Sequence, residues 1–173
     1  GAFTNFDRIR ELYPNSHFIL IVNDILKDIT QERFPECEIN PISIPKGICL
    51  NALAIFKKKH FDLINKEEAL SNNKRLISFH IKTETPFEKF HNLIDENIDI
   101  TKACDIEIID NLWDIFHLTE QMLSYDYQNF HYTDNYISHH SLIRLNEEYI
   151  YIGDSCQIKA GIILDATSGP III

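Results

Sequence analysis

Two polar side chains flank an apolar segment that could place them at the edge of a sheet. Asn51 comes directly after Ile48-Cys49-Leu50, which predicts a buried strand, and Lys46 precedes that segment in Pro45-Lys46-Gly47. Open α/β sheets bind ligands at the carboxyl ends of their strands, and a lysine attracts phosphate. We therefore take Asn51 and Lys46 as candidate ligand-binding residues. The alternatives are a plain strand-ending turn for Asn51 and an ordinary surface position for Lys46.

The overall charge argues against a nucleic-acid partner. The 173 residues carry a formal net charge of −10, whereas a nucleic-acid binder normally presents a basic stripe to the phosphates. The local exception is Lys57-Lys58-Lys59-His60. This run favours a solvated helix face, with phosphate attraction as the alternative.

The cysteines and the hydropathy pattern indicate a cytoplasmic protein. Four cysteines are spread along the chain without a CxxC pair, which predicts reduced thiols: Cys37, Cys49, Cys104 and Cys156. No apolar run reaches the roughly 18 residues of a membrane span, and no signal-peptide pattern opens the chain. We therefore expect neither a membrane nor a secretory context.

Helix and strand signals alternate through the first two thirds of the chain, which predicts an α/β fold with a mostly parallel sheet. Thr4 with Asp7 forms a capping-box pattern, Asp24 can cap a short helix, and Thr85-Pro86-Phe87-Glu88 has the pattern of a third helix start. A long amphipathic helix is predicted from Asn111 to about Phe130. Strands are predicted at Phe18–Val22, Ile48–Leu50 and Ile77–Ile81.

A different periodicity governs the end of the chain. Aliphatic residues recur at steps of six, six and seven: Ile152, Ile158, Leu164 and Ile171. This spacing fits neither a helix nor an ordinary strand, but it is typical of a hexapeptide β-solenoid, with Gly153 and Gly161 where the backbone turns. The segment supplies little more than one three-sided coil, and one coil cannot bury its own face. We therefore expect the 173 residues to be an internal piece of a longer protein.

These patterns divide the chain into an α/β domain over residues 1–140 and the start of the solenoid over 141–173. The polar segment from His131 to Ser141 is the predicted linker. His139 and His140 lie in it, and a histidine can act as the general base of an acyltransferase. Solvated loop histidines are the favoured alternative. His80 and His117 lie near apolar faces and are predicted to be packing residues.

Two local sequences then identify a family resemblance. Leu112-Trp113-Asp114-Ile115-Phe116-His117-Leu118, followed by Ile163-Leu164-Asp165-Ala166-Thr167-Ser168-Gly169-Pro170-Ile171, resembles the GlmU-like sugar nucleotidyltransferases. The resemblance is strongest from Leu112 to Ile171 and weak before residue 100. It implies a partial Rossmann-like nucleotidyltransferase domain, without its first strand and phosphate loop, that leads into the first coil of a left-handed β-helix.

The resemblance also implies an activity. Such a protein joins a nucleoside triphosphate and a sugar 1-phosphate into a nucleotide sugar, releases pyrophosphate and uses Mg²⁺. Its β-helix adds an acyltransferase that takes acetyl-CoA or another acyl-CoA, or it serves as the scaffold of a homotrimer in the full-length protein. No catalytic residue and no metal ligand can be assigned from the sequence.

One departure from the family pattern keeps other functions open. The family carries a Gly-Asp pair that holds Mg²⁺, and Asn51-Ala52 occupies the matching position. A neutral amide is a weaker ligand for a hard cation, although Asn51 could still bind a sugar or ribose hydroxyl. The alternatives are a catalytically inactive sugar-nucleotide-binding or trimer-scaffold module, and an acyltransferase that acts through the β-helix.

Overall fold

The structure is a computed structural model, and it describes residues 4–73, 75–129, 137–138, 141–153 and 156–173. The chain divides into two compact units, with the boundary between Asp114 and Ile115, and each is described by itself. The sequence-based domain boundary at residue 140 stays a prediction.

The first unit alternates short helices and strands. Its helices are α1 Asn5–Leu12, α2 Lys27–Arg33, α3 Phe61–Lys66 and α4 Phe90–Ile98. Single 3-10 turns at Asp24–Leu26, Lys58–His60 and Phe87–Lys89 lead into the last three. Its strands are β1 Ile19–Leu20, β2 Glu38–Ile39, β3 Ser43–Ile44, β4 Gly47–Leu50, β5 Ala69–Asn72, β6 Arg75–Ile81, β7 Thr85–Pro86 and β8 Lys102–Ala103.

The start of α1 confirms the predicted capping box. The Thr4 hydroxyl accepts a hydrogen bond from the Asp7 backbone N–H, and the Asp7 carboxylate accepts one from the Thr4 N–H at 3.0 Å. The cap predicted at Asp24 is wrong by one residue, because the Asn23 side chain accepts from the Ile25 N–H. Asp24 instead lies inside the 3-10 turn that precedes α2.

The third predicted helix start is also wrong. Thr85 belongs to β7, which pairs antiparallel with β3, and its hydroxyl donates to the Thr83 carbonyl. The helix α4 begins only at Phe90. Phe87, Phe90, Leu93 and Ile94 face the core, and His91 is exposed.

The main sheet has four strands in the order β4-β6-β5-β8, and it corrects the expectation of a mostly parallel sheet. β4 and β5 both run antiparallel to β6, and β8 runs parallel to β5. The connection from β5 to β6 is a tight turn that starts at Asn73, whose φ is 46°. So short a connection can only reverse the chain, because a parallel crossover needs a dozen residues or more.

The strands predicted at Ile48–Leu50 and Phe18–Val22 are both only partly buried. β4 lies at the end of the strand order, and its residues Gly47 and Ile48 are exposed. β1 covers only two of the five residues predicted, and both are half-buried. β1 pairs with β2 in a separate two-stranded parallel sheet, and α2 forms the connection between them.

Two hydrophobic clusters hold the first unit together, one on each side of β6. Ile77 joins the cluster that also contains Phe56, Ile64, Leu70 and Ile106. Phe79 and Ile81 join the cluster formed with Ile44, Ala69 and Phe90.

The second unit pairs its strands in three parallel couples. The chain from the helix α5 Leu112–Asn129 leads to β9 Ile137–Ser138, β10 Ile143–Leu145, β11 Ile150–Tyr151, β12 Gln157–Ile158, β13 Ile163–Asp165 and β14 Ile171–Ile172. β9 pairs with β12, β10 with β13 and β11 with β14, and the paired residues are 20, 20 and 21 positions apart. After about 20 residues, the chain therefore forms three further strands, each parallel to one of the first three and paired with it.

The residues that carry the six-residue period lie together. Ile152 is buried in a cluster with Ile150 and Ala166, and Ile158, Leu164 and Ile171 pack against that cluster. The two glycines differ in their roles. Gly161 has a φ of +80°, which suits glycine, and a Cβ on Gly153 would lie 3.2 Å from the Ile173 carbonyl oxygen.

The long helix confirms its predicted extent, but most of its large apolar side chains are exposed. Met122 is buried, whereas Leu112, Ile115, Phe116 and Leu123 are exposed. His117 is exposed as well, so the packing role predicted for it is not found. None of the described helices is long and apolar enough to cross a membrane.

The clustering of the period residues yields a prediction. Leu164→Asp places a carboxylate against the Ile152 cluster, and we expect a loss of about 3 kcal/mol in the free energy of unfolding of the second unit. Ile163→Asp is the control, because Ile163 is the adjacent residue on β13 and is exposed. Denaturant unfolding of both variants measures the difference. Equal losses would contradict the inward position of Leu164.

Candidate functional site

The side chain of Asn51 is occupied by backbone groups at the end of β4. Its Oδ1 accepts a hydrogen bond from the Leu53 N–H at 3.0 Å, and its Nδ2 donates to the Leu76 carbonyl at 2.8 Å. The Asn51 N–H donates to the Ile77 carbonyl, and the Ala54 N–H donates to the Asn51 carbonyl. This is an Asx-type turn, in which the amide shapes the backbone. The geometry supports the strand-ending turn, and a ligand contact of Asn51 stays a prediction.

The turn at Asn51 leads into a second backbone pairing. Ala54 forms an antiparallel bridge with Ile108, the Ile55 N–H donates to the Glu107 carbonyl, and the Ile109 N–H donates to the Leu53 carbonyl. The side chain of Asn51 therefore fixes the direction in which the chain leaves the sheet.

Strand directions show which other residues share the edge with Asn51. β4 and β5 both run antiparallel to β6, and β8 follows β5, so the carboxyl ends of these three strands lie where β6 begins. Asn72 ends β5, and its Nδ2 donates to the Ile106 carbonyl at 2.8 Å. Arg75 begins β6 and forms an ion pair with Asp110 at 2.8 Å.

Arg75 is the residue that the sequence analysis missed. Both partners of its ion pair are about half-exposed, so the guanidinium stays accessible at the carboxyl edge. A guanidinium matches a phosphate in charge and in geometry. The strand pattern at Ile77–Ile81 could have indicated it, because Arg75 is a charged residue two positions before that predicted strand.

Lys46 lies at the other end of β4. It is exposed in the bend before Gly47, at the amino end of the strand that Asn51 follows. Five residue steps in extended chain span about 16 Å, so a single phosphate cannot contact both side chains.

A second group of polar residues lies at the carboxyl ends of the parallel strands β1 and β2. Asn40, with a φ of 45°, follows β2 and holds the main chain of Val22 by two hydrogen bonds of 2.9 Å. Its Nδ2 is also 3.4 Å from the Asp24 carboxylate. Here too, an asparagine amide shapes the backbone at the end of a strand.

The basic run Lys57–His60 is a turn rather than a uniformly solvated face. Lys58 and Lys59 are exposed, but His60 is buried, and its Nδ1 accepts a hydrogen bond from the Lys57 N–H at 3.1 Å. Burial and the nearby Lys59 and Lys57 lower the pKa of His60, against the opposing charges of Asp105 and Glu107. His60 is thus held as the neutral imidazole. His80 donates to the Ile64 carbonyl, as expected for a packing residue.

A groove of about 590 Å³ lies elsewhere in the first unit. Its walls come from the end of α1, the loop before β1 and the loop before β2, and they include Arg10, His17, Glu36 and Cys37. It therefore opens at the amino ends of the parallel strands, opposite the edge where open α/β sheets bind ligands. Burial raises the pKa of the Cys37 thiol, and it raises that of Cys49 to about 12, so neither is an activated nucleophile.

The implied Mg²⁺ does not fit the residues at Asn51. The amide offers no negative charge, and its oxygen already accepts from the Leu53 N–H. Within the described ranges, no group of three or more histidine, cysteine or acidic side chains could hold a metal ion. His139 and His140 lie outside the described residues.

Comparison with known proteins adds one match. A family model described as "Sugar nucleotidyl transferase" matches residues 1–135 of the chain, which cover the whole of the first unit and all of α5. No curated protein and no solved structure matches the chain.

The turn at Asn51 yields a prediction about stability. Asn51→Ala leaves the Leu53 N–H and the Leu76 carbonyl without their partner, and we expect a loss of about 1–2 kcal/mol in the free energy of unfolding. Asn51→Asp keeps the acceptor for Leu53 and should lose less. Denaturant unfolding of the two variants tests this ranking, and an unchanged stability of Asn51→Ala would show that the turn does not depend on the amide.

His60 yields a prediction about pH. The folded protein binds a proton at His60 less readily than the unfolded chain, whose histidine titrates near pH 6.5. The stability from neutral His60 is therefore complete above that pH and declines as the pH falls below it. Glu68, hydrogen-bonded to Lys82, and Asp165, hydrogen-bonded to Thr167, have lowered pKa values. The stability that they contribute is therefore lost at more acidic pH.

Unfolding curves between pH 5 and 7.5 measure this dependence. His60→Gln should flatten the decline, whereas the exposed His117→Gln should leave it unchanged. If the loss of stability with falling pH persists in full in His60→Gln, other groups cause it.

Proposed function

The chain belongs to the sugar nucleotidyl transferase family, and we propose that it forms a nucleotide sugar and pyrophosphate from a nucleoside triphosphate and a sugar 1-phosphate. The observation that carries this proposal is the family match over residues 1–135. Both substrates are anionic, so the protein must bring together two phosphate groups that repel each other. Its main task is therefore to position them and to offset their charge.

We place the substrates at the carboxyl edge of the four-stranded sheet. The ends of β4, β5 and β8 meet the start of β6 there, and Arg75 supplies an accessible positive charge. Asp110 holds the guanidinium from one side, which leaves the remaining N–H groups for phosphate oxygens. Asn51 is our candidate for a sugar or ribose hydroxyl, and Lys46 at the far end of β4 is our candidate for a more distant phosphate.

In the reaction, Mg²⁺ would neutralise charge on the phosphates when it is bound. Among the described residues, no group of three or more histidine, cysteine or acidic side chains is placed to hold that ion. Arg75 would orient a phosphate, and the turn that begins at Asn51 would keep the surrounding backbone in place. Rigid positioning of this kind is worth several orders of magnitude in rate.

We infer that the strands β9 to β14 of the second unit form coils of a left-handed β-helix. The support is the 20- or 21-residue return of three parallel strand pairs and the single cluster around Ile152. As the resemblance implies, this unit would serve as the scaffold of a homotrimer or as an acyltransferase that takes an acyl-CoA. The free cysteines fit our proposal of a cytoplasmic location.

A second candidate function is a sugar-nucleotide-binding or scaffold module without catalysis. The observation that favours it is Asn51, because a neutral side chain engaged in a turn stands where the family pattern has a carboxylate. Binding without turnover would be its signature.

The experiment is calorimetry and a pyrophosphate-release assay on the purified full-length protein. The five common nucleoside triphosphates and a panel of sugar 1-phosphates are tested with Mg²⁺ present. Binding with pyrophosphate release supports the enzyme. Binding of a nucleotide sugar without release supports the module, and no binding of any compound contradicts both.

Arg75 gives a prediction with a matched control. Arg75→Gln should weaken binding of a nucleoside triphosphate at least about tenfold, because it removes a charge-assisted contact to phosphate. Arg10→Gln breaks an ion pair of similar exposure and the same 2.8 Å length, but at the amino side of the parallel strands. The affinity of the Arg10→Gln variant for the nucleoside triphosphate should stay unchanged. Calorimetric titration of both variants measures these affinities. Equal losses of affinity would exclude a specific role for Arg75.

A further inference from the structure

The turn that follows β4 is tied to the first helix of the chain as well as to the sheet. Asn5 is the first residue of α1, and its Nδ2 donates to the Ala52 carbonyl at 3.2 Å and to the Ala54 carbonyl at 3.1 Å. We refer to residues 51–54 as the edge turn. The side chain of Asn51 closes this turn from within, and one amide of α1 holds it from outside.

A buried arginine fixes the orientation of the Asn5 amide. Arg8 is 3% exposed, and its Nη1 donates to the Asn5 Oδ1 at 3.1 Å. A guanidinium can only donate, so the amide must present its oxygen to Arg8 and its NH2 group to the edge turn. The two residues lie three positions apart and share one side of α1. Arg10 lies on the other side of the helix, in the wall of the groove.

The edge turn leaves one backbone donor facing away from it. The Ala54 N–H donates to the Asn51 carbonyl, which closes a four-residue β-turn. Neither Ala52 nor Leu53 has a positive φ, so this turn is not one of the types that require a left-handed residue. In a trans peptide the Ala52 N–H lies opposite to the Asn51 carbonyl and therefore points out of the turn. Ala52 is exposed, and within the described ranges no residue accepts a hydrogen bond from its N–H.

This donor lies beside the guanidinium of the candidate site. The Asn51 N–H donates to the Ile77 carbonyl, and its side chain donates to the Leu76 carbonyl. Ala52 follows Asn51, and Arg75 precedes Leu76, so the two occupy neighbouring positions on β4 and β6. Backbone N–H groups stabilise charge that develops on a reacting oxygen, and they do so best when their positions are fixed beforehand.

We propose that Asn5 is a positioning residue of the carboxyl edge, and that the Ala52 N–H donates to a phosphate oxygen on which charge develops in the reaction. The proposal rests on the proposed function and adds a second donor beside Arg75. An exposed turn with few ties opens readily, and a displacement of about 1 Å can cost about 100-fold in rate. The tie from Asn5 keeps the donor in one place before the substrate binds.

The first test changes the tie and leaves α1 intact. Asn5→Asp keeps an acceptor for Arg8, and a carboxylate is favourable in the first turn of a helix, but it has no donor for the two carbonyls of the edge turn. Since Arg75 still binds the triphosphate, kcat for pyrophosphate release should fall about tenfold while KM changes little. Arg10→Gln, on the other side of α1, should keep the wild-type kcat. A wild-type kcat in Asn5→Asp would overturn the positioning role.

The second test removes the donor itself. Proline lacks an N–H, and its fixed φ suits the second position of a type I turn, which Ala52 occupies. Ala52→Pro should therefore keep the free energy of unfolding, because no described residue loses a hydrogen bond, and kcat should fall at least about tenfold. Denaturant unfolding and steady-state kinetics measure the two quantities. A folded Ala52→Pro variant with the wild-type kcat would overturn the role of this N–H.

Hydrogen exchange separates this proposal from the proposed function, because it requires no substrate. The Leu53 and Ala54 N–H groups are bonded within the edge turn, and in Asn5→Asp they should exchange at least about fivefold faster than in the wild type. The Val22 N–H, which Asn40 holds, should keep its rate. Unchanged exchange of Leu53 and Ala54 would overturn the tie whether or not the protein is active. Faster exchange in a full-length protein that releases no pyrophosphate would support the tie and overturn its role in catalysis.

Discussion

The central strand β6 is paired along both of its edges and contributes side chains to both hydrophobic clusters of the first unit. Ile77 lies in one cluster, and Phe79 and Ile81 lie in the other. Its neighbours β4 and β5 run antiparallel to it, so three strand ends collect at the edge where β6 starts. The tight turn at Asn73 sets this arrangement, because it fixes the direction of β6 against β5. Arg75 therefore begins β6 at the edge where β5 ends.

Asparagine side chains perform the same task at several strand ends. Asn40, Asn51 and Asn72 each bond a backbone group of another segment. A side-chain amide has both a donor and an acceptor, so it can replace the missing neighbour of a strand that has just ended. This is a structural reason for a neutral residue at position 51. A carboxylate there could accept from Leu53 but could not donate to the Leu76 carbonyl.

Local signals in the sequence predicted local structure well. The capping box at Thr4 and the extent of α5 depend on contacts within a few residues, and both are confirmed. The period of Ile152, Ile158, Leu164 and Ile171 predicted a shared cluster because each step returns to the same interior. Strand direction was not predictable in this way. It depends on which segments pair, and continuous apolar runs such as Ile48–Leu50 carry no information about that choice.

The same limit explains which site residues the sequence could indicate. Asn51 was found because it directly follows an apolar strand, and Lys46 because it precedes the same strand. Because they flank one strand, the two lie at its opposite ends, and only the pairing of β4 with β6 shows that Arg75 shares the edge with Asn51. A ligand at that edge meets a fixed backbone and one accessible guanidinium. Since a guanidinium stays charged at any physiological pH, its attraction for phosphate is weakened chiefly by salt, which screens an exposed charge more than a buried one.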